Sequence, residues 1–163
     1  MAVKMFAAVT IGSTETELKI FEFTARRVMK EIEWVSTRLN LGGDAYSMGR
    51  ISRDNIEELC KVLLDFKRIM NGYKVDAYKV CATSAFRETR NMIILRDYIE
   101  KQTGLKIDVL SNSEQRFVDY KSIASVTTEF ETIIQNPAAI VDIGGNSTQI
   151  SLFDKDKLIT TQN

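Results

Sequence analysis

The residues of this chain best suited to chemistry stand together in the stretch Ala138–Phe153. A short apolar run ends in Asp142, the corner Gly144-Gly145-Asn146 follows, and an alternating run resumes at Ser147 and Thr148. That pattern predicts a β-hairpin with a carboxylate at the end of its first strand. Glycines let backbone N–H groups come close to a ligand, and successive N–H groups form a nest for an anion. Ser147 and Thr148 add hydroxyl donors, and Asp142 stands where it could hold a magnesium ion or its waters. The competing reading is a plain hairpin with turn-forming residues. A second corner of the same kind lies at Ala8–Ser13, so Ile140–Gly145 reads as an internal duplication of it.

The chain has 163 residues and contains no histidine. The commonest general base and zinc ligand is therefore absent, and with it the Ser-His and Cys-His nucleophile systems. Any chemistry falls to carboxylates, hydroxyls, lysine, arginine or a magnesium-type metal. Basic and acidic residues balance at 22 each, which argues against broad capture of duplex nucleic acid or of an anionic membrane. No apolar run reaches membrane-spanning length, and the amino terminus runs into a strand without a cleavage pattern. Cys60 and Cys81 lie far apart in apolar contexts and read as reduced core cysteines. The expected compartment is the cytoplasm.

The elements that must position these residues can be read in order. Strands are expected over Lys4–Ile11, Thr16–Phe23 and Val28–Ser36, with Ala25-Arg26-Arg27 as a connection, making a meander. Leu39–Gly49, with three glycines, reads as a loop. Ser52 caps a helix that buries Ile56, Leu59, Cys60, Leu63, Phe66 and Met70 and closes at Asn71-Gly72. A strand over Val75–Ala82 leads through Thr83–Arg87 into a helix over Asn91–Gln102, with Ile94, Leu95, Tyr98 and Ile99 inward. Lys106–Leu110 is a strand, Ser111 and Glu114 form a capping box, and a helix runs from Ser113 to Thr128. Pro137 marks a break, and Lys157–Thr161 is a last strand. Phe21, Phe23, Trp34, Phe66, Phe86 and Phe117 are expected in the core. The fold class is α/β: a mixed sheet with helices on both faces over residues 1–135, then the opening strands of an unfinished copy over 136–163. A lone three-stranded sheet is marginal in water, so those strands belong to a longer protein or pack on the first domain or on another chain.

Four stretches carry a resemblance. They are Ala8–Glu15, Cys81-Ala-Thr-Ser-Ala-Phe-Arg-Glu-Thr-Arg-Asn91, Val109-Leu-Ser-Asn-Ser-Glu-Gln115 and Val141–Ile150. In order, they resemble the phosphate loops and connecting motifs of the exopolyphosphatase and guanosine pentaphosphate phosphohydrolase family (Ppx/GppA), in its N-terminal part. That family belongs to the actin-like, ribonuclease H-like superfamily of sugar kinases, Hsp70 and actin. The resemblance implies hydrolysis of terminal phosphoanhydride bonds of polyphosphate or a guanosine pentaphosphate-like ligand. It implies magnesium and a cleft between two actin-like domains. It assigns phosphate binding to Gly12, Ser13, Arg87, Asn91, Gly144, Gly145, Asn146, Ser147 and Thr148, and metal binding to Asp142. The partner expected from it is the phosphate ligand; a homodimeric copy is a separate expectation, and the balanced charge with no long apolar run argues for no duplex nucleic acid and no membrane.

The departures from the family pattern concern carboxylates. Its first-loop aspartate falls on Thr10, its catalytic glutamate on Gln115, and the glutamate after the second Ser-Thr on Gln149, while Glu15 adds a negative charge in the first loop. Glutamine cannot take a proton from water. Glu114 could substitute as base, but one helical step turns a side chain by roughly 100°, and its alternative role is to cap with Ser111. Arg87 could instead pair with Glu88 or Glu114, and Asp142 could simply accept N–H bonds within its turn. Three readings stay open: an active hydrolase, a weak or inactive phosphate-binding module, and an actin-like scaffold without ligand.

Overall fold

The computed structural model describes residues 3–24, 29–127 and 129–163, without the side chain of residue 126. The chain divides into two compact units, Met1–Val109 and Leu110–Asn163. The second unit thus begins ahead of the helix that follows Ser111, which packs on the later strands.

In the first unit, β1 (Lys4–Ile11), β2 (Glu15–Phe23) and β3 (Met29–Arg38) form the expected antiparallel meander. The residues expected to join β2 to β3, and Val28, lie outside the described set. β4 (Ala77–Ala82) and the two-residue β5 (Asp108–Val109) lie parallel to β1, giving the order β3-β2-β1-β4-β5. Period-two alternation puts Ala7, Val9, Ile11, Leu18, Ile20, Val80 and Ala82 on the buried side. They share one core with Leu59, Leu63 and Phe66 of α2 (Arg53–Gly72), Phe86 of α3 (Ser84–Arg87), and Leu95 and Ile99 of α4 (Met92–Thr103). Ser52 caps α2 by accepting from the Asn55 N–H at 3.4 Å.

Sequence expectations fail here in instructive ways. The glycine-rich stretch expected to be a loop contains α1 (Leu41–Met48). Asn40 caps it by accepting from the Gly43 N–H, Gly49 ends it in the left-handed region at φ 66°, and its Leu41 and Ala45 are buried. In α4 the inward stripe is Leu95, Ile99 and Thr103; Ile94 and Tyr98 fall beside it and are exposed. Phe66 and Phe86 are core residues as expected, but Trp34 is exposed, its indole N–H donating to Glu17 and Lys19 stacking on its ring.

The second unit is α5 (Asn112–Val126), the short α6 (Phe130–Ile133) and an antiparallel sheet of β6 (Ala138–Ile143), β7 (Thr148–Asp154) and β8 (Lys157–Gln162). α5 opens with the expected capping box between Ser111 and Glu114. It lies against the sheet face that carries Asp142, Gln149, Ser151 and Phe153. Gln115 reaches Asp142, the Tyr120 hydroxyl meets that of Ser151 at 2.5 Å, and the Tyr120 ring packs edge-on against Phe153. Phe117 of the same helix is exposed, not core.

The opposite face of this sheet is bare. Val141, Ile143, Ile150 and Leu152 are 51%, 77%, 41% and 43% exposed. Register makes the comparison with the first unit direct. Ile11 pairs with Thr16 across the first corner as Ile143 pairs with Thr148 across the second. Val141, Ile143, Ile150 and Leu152 thus correspond to Val9, Ile11, Leu18 and Ile20, all of which are fully buried. The apolar pattern repeats; within the second unit no described helix covers it.

Candidate functional site

The two glycine corners are built alike. The Gly12 N–H donates to the Glu15 carbonyl at 2.9 Å, and the Gly144 N–H donates to the Ser147 carbonyl at 2.8 Å. Neither glycine has positive φ, so left-handed backbone is not what calls for glycine here. Room is: a Cβ on Gly12 would stand 2.9 Å from the Glu15 carbonyl oxygen, and one on Gly144 would stand 3.2 Å from Ser147 Oγ. Among the described residues, no backbone bond engages the N–H groups of Gly145 and Asn146, which lie exposed at the second corner and can be donated outward.

In the first unit the structure joins the first corner to the Arg87 segment. Ser13 is buried, and its hydroxyl meets that of Ser84, at the start of α3, at 2.7 Å. The Thr83 N–H donates to the Ile11 carbonyl at 3.1 Å and the Gly42 N–H to that of Ser13 at 2.7 Å. Arg87 ends α3, one helical turn from Ser84, and is half-buried. Asn91 does structural work: its Oδ1 accepts from the Thr89 hydroxyl at 2.6 Å and from the Ile51 N–H at 3.3 Å, and its Nδ2 donates to the Ile51 carbonyl. Thr10 is exposed on β1 opposite Glu17. Glu15 is exposed and accepts from the Ser36 hydroxyl at 3.4 Å, which turns its charge toward β3.

In the second unit the structure joins the Glu114-Gln115 segment to the second corner. Glu114 Oε2 accepts from both the N–H and the hydroxyl of Ser111, each at 2.8 Å, so this carboxylate caps α5. Gln115 Nε2 donates to Asp142 Oδ2 at 3.3 Å. Gln149 stands opposite Asp142 in the ladder, on the same face. It is 2% exposed, and among the described residues neither its amide nitrogen nor its amide oxygen has a hydrogen-bond partner. Asp119, one turn beyond Gln115 on α5, is a further candidate that sequence reasoning missed. Burial, and then the charge of Asp142, push its carboxyl up to about 6.

Among the described residues no cluster of three or more His, Cys, Asp or Glu side chains is present; a divalent cation of the magnesium type, held by one or two carboxylates together with waters and ligand phosphates, could be accommodated only with such further ligands. Asp142 would supply a carboxylate, and Gln149, buried with both amide atoms unpartnered, could turn its oxygen toward it.

A β-β-β-α-β-α-β sheet followed by a second glycine-cornered hairpin of matching register defines an actin-like, ribonuclease H-like fold. The family profile of the Ppx/GppA phosphatases matches residues 19–161, and the chain belongs to that family. The PPX-GPPA enzyme of Aquifex aeolicus shares the fold, with a TM-score of 0.81 and 24% identity over 99% of this chain and 52% of its own. The bifunctional 3-dehydroquinate synthase/phosphatase of Fusobacterium nucleatum is 24% identical over 90% of this chain and 22% of its own length. The guanosine-5'-triphosphate,3'-diphosphate pyrophosphatase of Photobacterium profundum is 22% identical over 94% of this chain and 30% of its own. The chain thus spans about half the length of that solved relative and less than a third of these sequence relatives.

Proposed function

We propose that this chain grips the terminal phosphates of a polyphosphate or guanosine pentaphosphate-like ligand and hydrolyses them slowly or not at all. The observation that carries this reading is the bond from Gln115 Nε2 to Asp142 Oδ2. At the position where the family resemblance places a glutamate, this side chain donates a hydrogen bond. Hydrolysis of a phosphoanhydride needs water to attack the terminal phosphorus while the bridging P–O bond breaks and a base removes the water proton. An amide has no basicity for that last transfer.

The binding half of the chemistry is retained. Gly144, Gly145, Asn146, Ser147 and Thr148 present N–H and hydroxyl donors to phosphoryl oxygens, and Gly12 and Ser13 form a second corner of the same geometry. Arg87, fixed at the end of α3, is the guanidinium for a phosphate, and Asn91 holds the segment that carries it. Asp142 would hold magnesium, which when bound neutralises phosphoryl charge.

Titration calorimetry with polyphosphate and with guanosine pentaphosphate tests the reading, alongside phosphate release in the presence of magnesium. Binding is expected that weakens on Arg87→Ala, with phosphate release no faster than that of Gln115→Ala. Rapid release that depends on Gln115, or no binding of either ligand by the folded chain, would overturn it.

A further inference from the structure

The face of the second unit that carries Asp142 holds more unsatisfied polar atoms than a plain hairpin explains. Gln115 and Asp119 are four residues apart on α5 and so share a helix face. Gln115 touches Asp142 across to β6, which brings the next turn of that helix face, with Asp119, within reach of the same carboxylate's field. Asp119 Oδ2 is buried and has no hydrogen-bond partner among the described residues. Gln149, directly opposite Asp142 in the strand ladder, is buried with both amide atoms equally unpartnered. A half-buried carboxylate with one oxygen unpartnered, beside a second carboxylate and a buried amide whose oxygen and nitrogen are both unpartnered, is an unfavourable arrangement for an empty site. The Gln149 amide nitrogen, a donor, would need a separate acceptor, but a divalent cation would satisfy the oxygens, Asp119 Oδ2 and the Gln149 amide oxygen, and would offset the paired carboxylate charge. Oxygen atoms are its preferred ligands, two carboxylates match its charge, and a side-chain carbonyl is an ordinary third donor.

We propose that Asp119 is a carboxylate ligand of a divalent cation shared with Asp142, with the side-chain oxygen of Gln149 as the neutral donor. This rests on the phosphate-binding reading of the same corner and deepens it. A carboxylate displaced by one helical turn from Gln115 takes over cation binding, while no base is restored at position 115. Gln149 keeps an oxygen donor without its charge, and the Gln115 amide orients Asp142.

The test uses manganese(II) as the probe on the full chain after chelation and dialysis, read by the loss of the free-ion electron paramagnetic resonance signal. The wild-type chain should bind one ion, and Asp119→Asn should weaken that binding roughly tenfold or more, the loss typical of perturbed metal sites. Asp142→Asn should do the same, Asp119→Glu should keep part of the affinity, and Ser113→Ala, off this face, should leave it unchanged. Each variant's melting curve in chelator verifies that it is folded. Binding by Asp119→Asn at the wild-type level, or no manganese bound by the folded wild-type chain, overturns the proposal. Calorimetry with polyphosphate is run beside it, in chelator and with manganese added. Ligand binding without manganese binding removes only the cation site; no ligand binding in either condition removes the phosphate reading as well.

Discussion

At the scale of single residues, the two corner glycines make an internal control. Both are needed for room, but the neighbours that crowd them differ. At Gly12 the obstacle to a methyl group is a backbone carbonyl at 2.9 Å, which cannot move without deforming the β1–β2 corner. At Gly144 it is a hydroxyl at 3.2 Å, which can rotate away. Gly12→Ala should therefore cost about 1–3 kcal/mol of stability, and Gly144→Ala under about 1 kcal/mol, as read by denaturant midpoints. Equal losses would show that space is not what selects glycine there. Removing the Ser84 hydroxyl should cost about 1 kcal/mol, because the buried Ser13 hydroxyl loses its partner. A third prediction concerns chemistry. Thr10→Asp combined with Gln115→Glu and Gln149→Glu should raise magnesium-dependent phosphate release if neutral replacements are what hold hydrolysis down. A fall in release in that variant would contradict this. Much at this scale was legible: Gln115, Asp142 and Gln149 stand out against the family's motifs, and the structure places all three on one face. Asp119 was not, because a lone aspartate in the middle of a helix reads as a solvated surface residue. Only its spacing of four from Gln115 could have flagged it.

At the scale of elements, the join between α1 and α2 shows why sequence pattern succeeds for some helices and fails for others. Ser52 and the stripe from Leu59 to Met70 announce α2 unambiguously. α1 hides behind glycines and is made helical by its surroundings. Its Asp44 carboxylate accepts from the Ser52 N–H at 2.8 Å and the Asn55 amide at 2.7 Å, tying the two helix starts together. Burial works to raise the Asp44 pKa, but the bonds from Ser52 and Asn55 outweigh it and hold the carboxyl below its ordinary value. An acid depressed in the folded state contributes stability above its unfolded pKa, and that contribution is lost as pH falls through the folded value. Asp44→Asn should therefore be less stable than wild type near neutrality by about 1 kcal/mol, and the gap should close below roughly pH 4. Melting temperatures of both proteins across that range check it; a gap that persists in acid would mean the carboxylate's charge is irrelevant. The same tertiary override explains α4, where the propensity pattern fits two adjacent stripes and only the Leu95–Ile99 stripe meets the core.

For the molecule as a whole, the duplication sets up a paired experiment. Ile11 and Ile143 occupy matching places in matching hairpins, yet one is fully buried and the other 77% exposed. Ile11→Ala should cost about 2–5 kcal/mol, and Ile143→Ala well under about 1 kcal/mol. Comparable losses would mean that the second sheet is covered in solution after all. The order of strands and helices was readable from the chain because turn residues and caps punctuate it. The packing of α5 was not: it depends on Gln115, Tyr120 and Phe153 making their contacts within the second unit, and no local signal reports that.

The uncovered isoleucines, leucine and valine carry a thermal consequence. Water shed from such a surface on contact favours association more strongly as the temperature rises from near freezing. Solutions of this chain should therefore self-associate on gentle warming and come apart again on chilling, opposite to contacts held by salt links. Ile143→Lys should abolish that cycle.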